Sequence, residues 1–481
     1  MDETMLLRQI YDEDLAQAAW LIGCQRTGEA IVIDPERDID RYLDLAEEHG
    51  LHITAVAETH VHADFLSGAR EIAQRTGARV IVSGEGGEAW RSRWLDGFEH
   101  VELRDGDTFA IGGVEFTAWH TPGHTPEHLS YLVRDIGGGA DEPIGILSGD
   151  FVFVGDLGRP DLLESAAGMS GSMRPSAKQL AESARRFLEL PDFLQVLPAH
   201  GAGSACGKAL GAVPQSTVGY ERRFNGQLGM AGEEEAFIDA ILSGQPAPPL
   251  YFARMKQQNR DGVPALATFG PPAEVTPGEL QGSDLQIIDL RPWDRFRAGH
   301  LPGAIWSRVG AFFCASVGSY VLPGQEIGLI CPDDQVERLQ RALIRIGLDH
   351  LVSWCSDEAF DAFARDGSGL TAIEEIDART LGERIAGGVP MSFLDVRRGD
   401  EFDAGHFEGA RNVPHTRLMA GEGAIPSDDE TSGPILVHCR SGVRSATACS
   451  VLKREGHEVV NLAGGWLAWQ ALREGSTSPS C

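Results

Sequence analysis

Four separated stretches of this 481-residue chain carry imidazole and carboxylate groups in an order that describes one metal site. They are Thr59-His60-Val61-His62-Ala63-Asp64-Phe65, Thr121-Pro122-Gly123-His124, Ser148-Gly149-Asp150 and Leu197-Pro198-Ala199-His200. Each lies beside a small or turn-forming residue near the end of an apolar run. Imidazole and carboxylate together suit a first-row divalent metal. Pro122-Gly123 forces a turn before His124, and Gly149 lets the backbone approach closely before Asp150. A fifth stretch offers different chemistry. The β-type run Ile435-Leu436-Val437-His438 leads into Cys439-Arg440-Ser441-Gly442-Val443-Arg444-Ser445 and then a helix over 446–455. That order places a thiol at a strand end, in a tight loop facing a helix N-terminus. Successive N–H groups of such a loop, through Ser441, Gly442 and Val443, form an anion-binding nest. The helix dipole, Arg440 and Arg444 add positive potential, which favours the reactive thiolate.

The elements that must position these groups are legible as well. Residues 30–34, 52–57 and 78–82 read as strands, and 39–49 and 66–76 carry helical spacing between them. Residues 108–111 and 114–119 flank Gly112-Gly113, a hairpin signal. Residues 176–190 form an amphipathic helix. His60-x-His62-x-Asp64 therefore falls just past a strand end, where α/β folds place reactive groups. The mixture predicts layered α/β, with sheets covered by helices.

Bulk properties narrow the function. The chain is too long for one core and predicts about three domains. With 42% hydrophobic and 23% charged residues it has the composition of a soluble globular protein. A net charge of −30 argues against nucleic-acid and anionic-membrane partners, both of which need a basic face. No apolar run approaches the roughly 20 residues that span a bilayer. The acidic Met1-Asp2-Glu3 opening is unlike a signal peptide. The 8 cysteines are scattered without CxxC pairs, which suits a reducing cytoplasm rather than a disulfide scaffold.

Proline-rich stretches at 245–249 and 270–272 bracket a linker, 251–275, after a first domain at 1–250. Beyond it the sequence repeats itself. Asp289-Leu290-Arg291, Ala298-Gly299-His300 and Gly303-Ala304 recur as Asp395-Val396-Arg397, Ala404-Gly405-His406 and Gly409-Ala410, each 106 residues on. The copies span about 276–368 and 376–475. The first has Cys331-Pro332-Asp333-Asp334 where the second has its cysteine loop, and the 106-residue offset sets Asp333, not Cys331, opposite Cys439. Acidic residues replace the nest, and Pro332 removes an N–H donor. This copy reads as degenerate, structural or a docking surface.

The first 250 residues resemble the metallo-β-lactamase superfamily, matching its His-x-His-x-Asp-His signature except at Phe65. Within it, the segments 58–64 and 121–125 and the turn Gly158-Arg159-Pro160-Asp161 look most like persulfide dioxygenases. The resemblance implies an αββα sandwich with one Fe(II) per chain on His60, His124 and Asp150. Two histidines and one carboxylate leave open positions for substrate and O2. It places His62 near the metal, and makes Asp64 and His200 hydrogen-bonding groups around it. Two-metal hydrolases need a histidine at 65, so Phe65 points to one metal. Zinc on His60, His62 and His124 is the alternative set. Arg159 could pair with an anionic group of a thiol carrier, or with Asp156 or Asp161. Cys206 is a candidate sulfur relay or an inert buried thiol. The cysteine loop, with Gly464-Gly465-Trp466, resembles a rhodanese domain and implies sulfane-sulfur transfer on Cys439.

The implied activity is oxidation of a low-molecular-weight persulfide, of the glutathione or coenzyme A type, by O2 to sulfite and thiol. Rhodanese transfer to or from thiosulfate would accompany it in sulfide detoxification, in a homo-oligomer. The alternatives are a glyoxalase II-like dinuclear thioester hydrolase and a non-catalytic sulfur carrier or sensor.

Overall fold

The computed structural model describes residues 5–165, 171–208, 210–211, 213–266, 270–310, 312–366, 369–420, 425–426 and 433–476. The chain divides into two compact units: 1–267 with 344–347, and 268–343 with 348–481.

The first unit holds β1 (Met5–Asp12), β2 (Gln17–Cys24), β3 (Glu29–Ile33), β4 (His52–Ala57), β5 (Arg79–Ser83) and β6 (His100–Leu103). These form one sheet in sequence order. A second sheet uses β7 (Thr108–Ile111), β8 (Val114–His120), β9 (Leu129–Asp135) and β10 (Gly145–Gly149). The hairpin β11 (Val152–Phe153) and β12 (Asp156–Leu157) follows, and β13 (Gln195–Pro198) and β14 (Ser216–Thr217) complete that second sheet in the order β14-β13-β10-β9-β8-β7. The strands read from sequence all form, and Ile111 pairs with Val114 across the expected Gly112-Gly113 turn.

Burial explains the layering. One apolar cluster takes alternate residues from both sheets: Trp20, Ile22, Ile31 and Ile33 from one, Phe116, Tyr131 and Leu147 from the other. The odd-numbered face of β2 instead packs Ala19 and Leu21 with Tyr42 and Ala46 of the helix Asp40–Glu48 and Ile72 of the helix Ala69–Thr76. Likewise Ile146 and Val196 pack on Leu180, Ala184 and Phe187 of the helix Met173–Phe187. The result is an αββα sandwich, as the resemblance implied. Both sheets are covered on both faces, so β2 is buried throughout. Phe116 is fully buried between the sheets and stacks on Phe109 at 4.8 Å. Phe116→Ala is expected to cost about 3–5 kcal/mol, read as a lowered denaturant midpoint for this unit.

One boundary differs. Residues 252–261, placed in the linker, form the helix Phe252–Asp261 within the first unit. Phe252, Met255 and Asn259 recur at i, i+3 and i+7 and are buried, a helical face that the neighbouring prolines obscured.

The second unit contains the repeat. β15 (Ala273–Glu274), β16 (Gln286–Asp289), β17 (Ile305–Trp306), β18 (Ile327–Cys331) and β19 (Leu351–Ser356) form a sheet ordered β15-β19-β18-β16-β17. Then β20 (Glu374–Ile376), β21 (Ser392–Asp395), β22 (Arg411–Asn412), β23 (Ile435–His438) and β24 (Val459–Leu462) take the identical order β20-β24-β23-β21-β22. The landmarks of the repeat are structural. Arg291 binds Asp289 (2.7 Å) and the Gly299 carbonyl (2.8 Å); Arg397 binds Asp395 and the Gly405 carbonyl, both at 2.6 Å.

Candidate metal centre and sulfur-transfer loop

The loop after β4 delivers Thr59 and His60, the turn after β8 delivers His124, and Asp150 directly follows β10. His60, His124 and Asp150 are all buried, with one ligand atom of each within 4.8 Å of the others. Asp150 Oδ2 lies 3.6 Å from His124 Nε2 and 3.9 Å from His60 Nε2.

Hydrogen bonds set which nitrogen of each ring is free. Thr59 Oγ1 donates to Asp34 Oδ2 (2.9 Å), so it can only accept from His60 Nδ1 (2.9 Å). That proton on Nδ1 leaves Nε2 bare. His124 Nδ1 donates to the Arg159 carbonyl (3.1 Å), with the same consequence. Burial first, then neighbouring imidazoles and Lys256, hold His60 well below its usual pKa; burial and Lys256 do the same for His124. Two neutral rings present lone pairs toward a carboxylate whose oxygens have no hydrogen-bond partner among the described residues. That donor set fits a divalent metal.

Two residues that sequence reading passed over build this arrangement. Asp34 directly follows β3 with φ +52, and besides Thr59 Oγ1 it accepts the Thr59 N–H at 2.7 Å. His128 Nε2 accepts the Asp150 N–H (3.0 Å), so its Nδ1 donates to Thr121 Oγ1 (2.8 Å). Gly149, at φ +52, is required here: a Cβ would come within 2.6 Å of both His128 Nε2 and Thr59 Oγ1. No periodicity or motif marks Asp34; His128, four residues past His124, offered only the spacing of a second imidazole. Asp34→Asn is expected to weaken metal binding about 10–100-fold, measured by competition with a chromophoric chelator.

His62 is turned otherwise. Its Nε2 sits between Glu58 Oε2 (3.0 Å) and Asp34 Oδ1 (3.1 Å), while its Nδ1 has no partner among the described residues. Burial opposes a charge on it, yet the two carboxylates hold its pKa well above the usual value. Phe65, fully buried, packs its ring 4.4 Å from that of His62.

Asp64 and His200 come together, Oδ2 to Nε2 at 3.2 Å, and Asp150 Oδ1 lies 3.4 Å from the same nitrogen. Cys206 joins them as a third buried donor. The second donor group thus keeps three members although Phe65 replaces the expected histidine, so Phe65 alone does not set the metal count. Burial lifts the Cys206 thiol to about 12. Burial works against a charged His200, but Asp150, Cys206 and Asp64 hold its pKa well above the usual value.

Arg159 is committed elsewhere. Its guanidinium is buried, donates to both oxygens of Asp161 (Nε to Oδ1 2.9 Å), and reaches the carbonyls of Ala205 (3.0 Å) and Pro246 (2.6 Å). Of the two roles read for it, the ion pair with Asp161 is the one formed.

In the second unit, Cys439 stands one residue past β23 and is buried. Its Sγ accepts from the Gly442 N–H at 3.1 Å and faces Ser445 Oγ at 3.6 Å. Arg440 and Ser441 are exposed. Val443 opens the helix Val443–Arg454. Arg444 makes a two-pronged pair with Glu401 (2.8 and 3.0 Å), a residue the sequence reading did not single out, and half-buried His415 stands by this pair. Gly465, at φ +58, is needed because a Cβ would fall 2.4 Å from the Cys439 carbonyl.

The first copy requires a correction. Asp289 pairs with Ile330, and Asp395 pairs with His438. Cys331, one past Ile330, is therefore the register equivalent of Cys439, where the 106-residue offset had set Asp333. The copies differ by two residues between β16 and β18, which a single offset cannot show. Burial, then Asp357, Cys355, Asp289 and Asp333, push the Cys331 thiol up to about 12, so a cysteine is present without the environment that would ionise it.

The first unit is an αββα sandwich with a buried metal-donor face, and the second carries a rhodanese-type cysteine loop. Residues 12–200 match the family described as the Metallo-beta-lactamase superfamily, and residues 377–472 match the Rhodanese-like domain. The chain belongs to the metallo-beta-lactamase superfamily. It is similar to a crystal structure of a metallo-beta-lactamase from Staphylococcus aureus subsp. aureus COL: 41% identity, TM-score 0.68, covering 73% of this chain and 99% of that one. A hydroxyacylglutathione hydrolase of Synechococcus sp. (strain CC9605) is 30% identical over 201 residues, 41% of this chain and 72% of that protein. A beta-lactamase hydrolase-like protein of Agrobacterium fabrum (strain C58) is 28% identical over 254 residues, 48% of this chain and 54% of the relative, so the chain spans about half of that protein's length. Among the described residues no helix is long and apolar enough to cross a membrane.

Proposed function

We propose that the first unit oxidises a low-molecular-weight persulfide with O2 to sulfite and the free thiol, and that Cys439 in the second unit transfers sulfane sulfur. The observation that carries this reading is the donor face of His60, His124 and Asp150, with both Nε2 atoms bare, in the same chain as a rhodanese cysteine. One Fe(II) held there would supply the chemistry by which sulfur and O2 react. The chain's own residues do the rest. The Asp34–Thr59 pair and the Arg159 carbonyl keep the rings in the binding tautomer. His128 holds the Asp150 backbone at its turn. Cys206 lies beside Asp64 and His200, and the burial that pushes its thiol up to about 12 supports the inert of the two roles read for it over the sulfur relay. Gly442 N–H and Ser445 Oγ hold the sulfur of Cys439 and would hold a persulfide formed on it. A reducing cytoplasm and a homo-oligomer belong to this reading, with glutathione or coenzyme A as the carrier class.

A second reading has support from one observation. The Asp64, His200 and Cys206 group could take a second metal, as a two-metal thioester hydrolase requires, and the hydroxyacylglutathione hydrolase relative fits that chemistry. Anaerobic purification with metal quantification, then oxygen-electrode and thioesterase assays, separates the two. About one iron per chain with persulfide-dependent O2 uptake supports oxidation. Two zincs with thioester cleavage overturns it, and no bound metal leaves a sulfur carrier.

A further inference from the structure

We propose that Lys256 is the anion-binding residue of the metal-site cavity and receives an oxyanion of the substrate or product. The inference rests on the persulfide-oxidation reading and names what that site recognises. A cavity opens beside the metal face, lined among others by His60, His62, Trp90, Glu127 and Asn259. Its lining contains no lysine or arginine among the described residues. Lys256 meets the cavity wall at Trp90: Nζ lies 4.2 Å from the centroid of that ring, and the residue is only 7% exposed.

The helix that carries Lys256 is pinned to the metal loop. One turn on, Asn259 Nδ2 donates to the carbonyls of His62 (2.9 Å) and Phe65 (2.7 Å), and its Oδ1 accepts the Ser67 N–H (2.9 Å). Residues three apart share a helix face, so Lys256 is fixed relative to His60 and His62. Its charge reaches both proposed ligands, where it helps to keep His60 and His124 neutral.

The ammonium is not consumed by the protein. No hydrogen bond from Nζ forms among the described residues. Glu127 faces it, but Oε1 of Glu127 accepts the Val61 N–H (2.9 Å) and Oε2 has no hydrogen-bond partner among the described residues. A buried ammonium resting on an indole face is poorly compensated. Burial lowers its pKa to about 8, in keeping with that environment. An incoming oxyanion would give it a charge-assisted hydrogen bond. Arg159, for which an anionic group of a thiol carrier was one of two open partners, has spent its donors on Asp161, Ala205 and Pro246.

Two oxyanions fit this chemistry: a carboxylate or phosphate on the thiol carrier, and sulfite. Lys256→Met keeps the stem over Trp90 and removes the charge. The test compares iron-loaded full-length wild type and variant in O2 uptake with glutathione persulfide and with the persulfide of thioglycerol, whose carrier bears no oxyanion, adding sulfite as inhibitor. If the carrier's oxyanion binds, the ratio of the two KM values shifts about 10–100-fold, the worth of one charge-assisted hydrogen bond. If sulfite binds, its inhibition constant rises by that factor while the ratio holds. No change in either quantity overturns the proposal. Calorimetric titration of wild type and variant with glutathione and with sulfite keeps the two readings apart. Should wild type take up no O2 with either persulfide, the oxidation reading fails, and the anion site then stands or falls on whether the charge removal abolishes binding of these probes. Lys256→Arg, which restores the cation, is expected to recover part of the effect and shows that folding is not the cause.

Discussion

His124→Ala is expected to strip the first unit of its metal and abolish O2 uptake with persulfide. His124 offers a bare Nε2, 3.6 Å from Asp150 Oδ2, because its other nitrogen is spent on the Arg159 carbonyl. Without it only His60 and Asp150 remain, too few donors to hold a divalent ion against water. Losing a group that merely orients a ligand costs about 10–100-fold in affinity, so losing the ligand itself costs more. Metal content by mass spectrometry should fall from about one equivalent to background, while melting of the apo-proteins shows whether the fold survives. Retention of iron and of O2 uptake by a folded variant would remove His124 from the site.

Cys439→Ser is the second large effect. The oxygen nucleophile is a poor acceptor of sulfane sulfur, and no other group substitutes for the thiol in its own covalent step. Thiosulfate-linked transfer should fall by several orders of magnitude. O2 uptake should persist, because none of the proposed metal ligands lies in the unit that carries Cys439. Loss of both activities in a folded, iron-loaded protein would mean that the two sites act as one.

These two variants probe groups whose chemistry is readable in the chain. His60, His124 and Asp150 each follow an apolar run and a turn signal, and the structure brings all three to one face. The cysteine loop formed where its strand and helix patterns placed it. Other features were hidden for identifiable reasons. The helix carrying Lys256 lies between prolines that read as linker. Cys331 was displaced from its true partner because two residues were lost between strands, and only hydrogen-bond register reveals that. Arg159 had two open roles, and the choice was made by Asp161 together with carbonyls 46 and 87 residues away.

What the amino-acid order alone determined was the list of donors, their succession and the layered α/β fold, since these follow from side-chain type and from periodicities of a few residues. What only the folded molecule decided was which nitrogen of each imidazole is free, where Cys206 stands, and which cation is left unspent. Those depend on hydrogen bonds and burial between residues such as 34, 60, 128, 150 and 256, which meet through packing that no local pattern encodes.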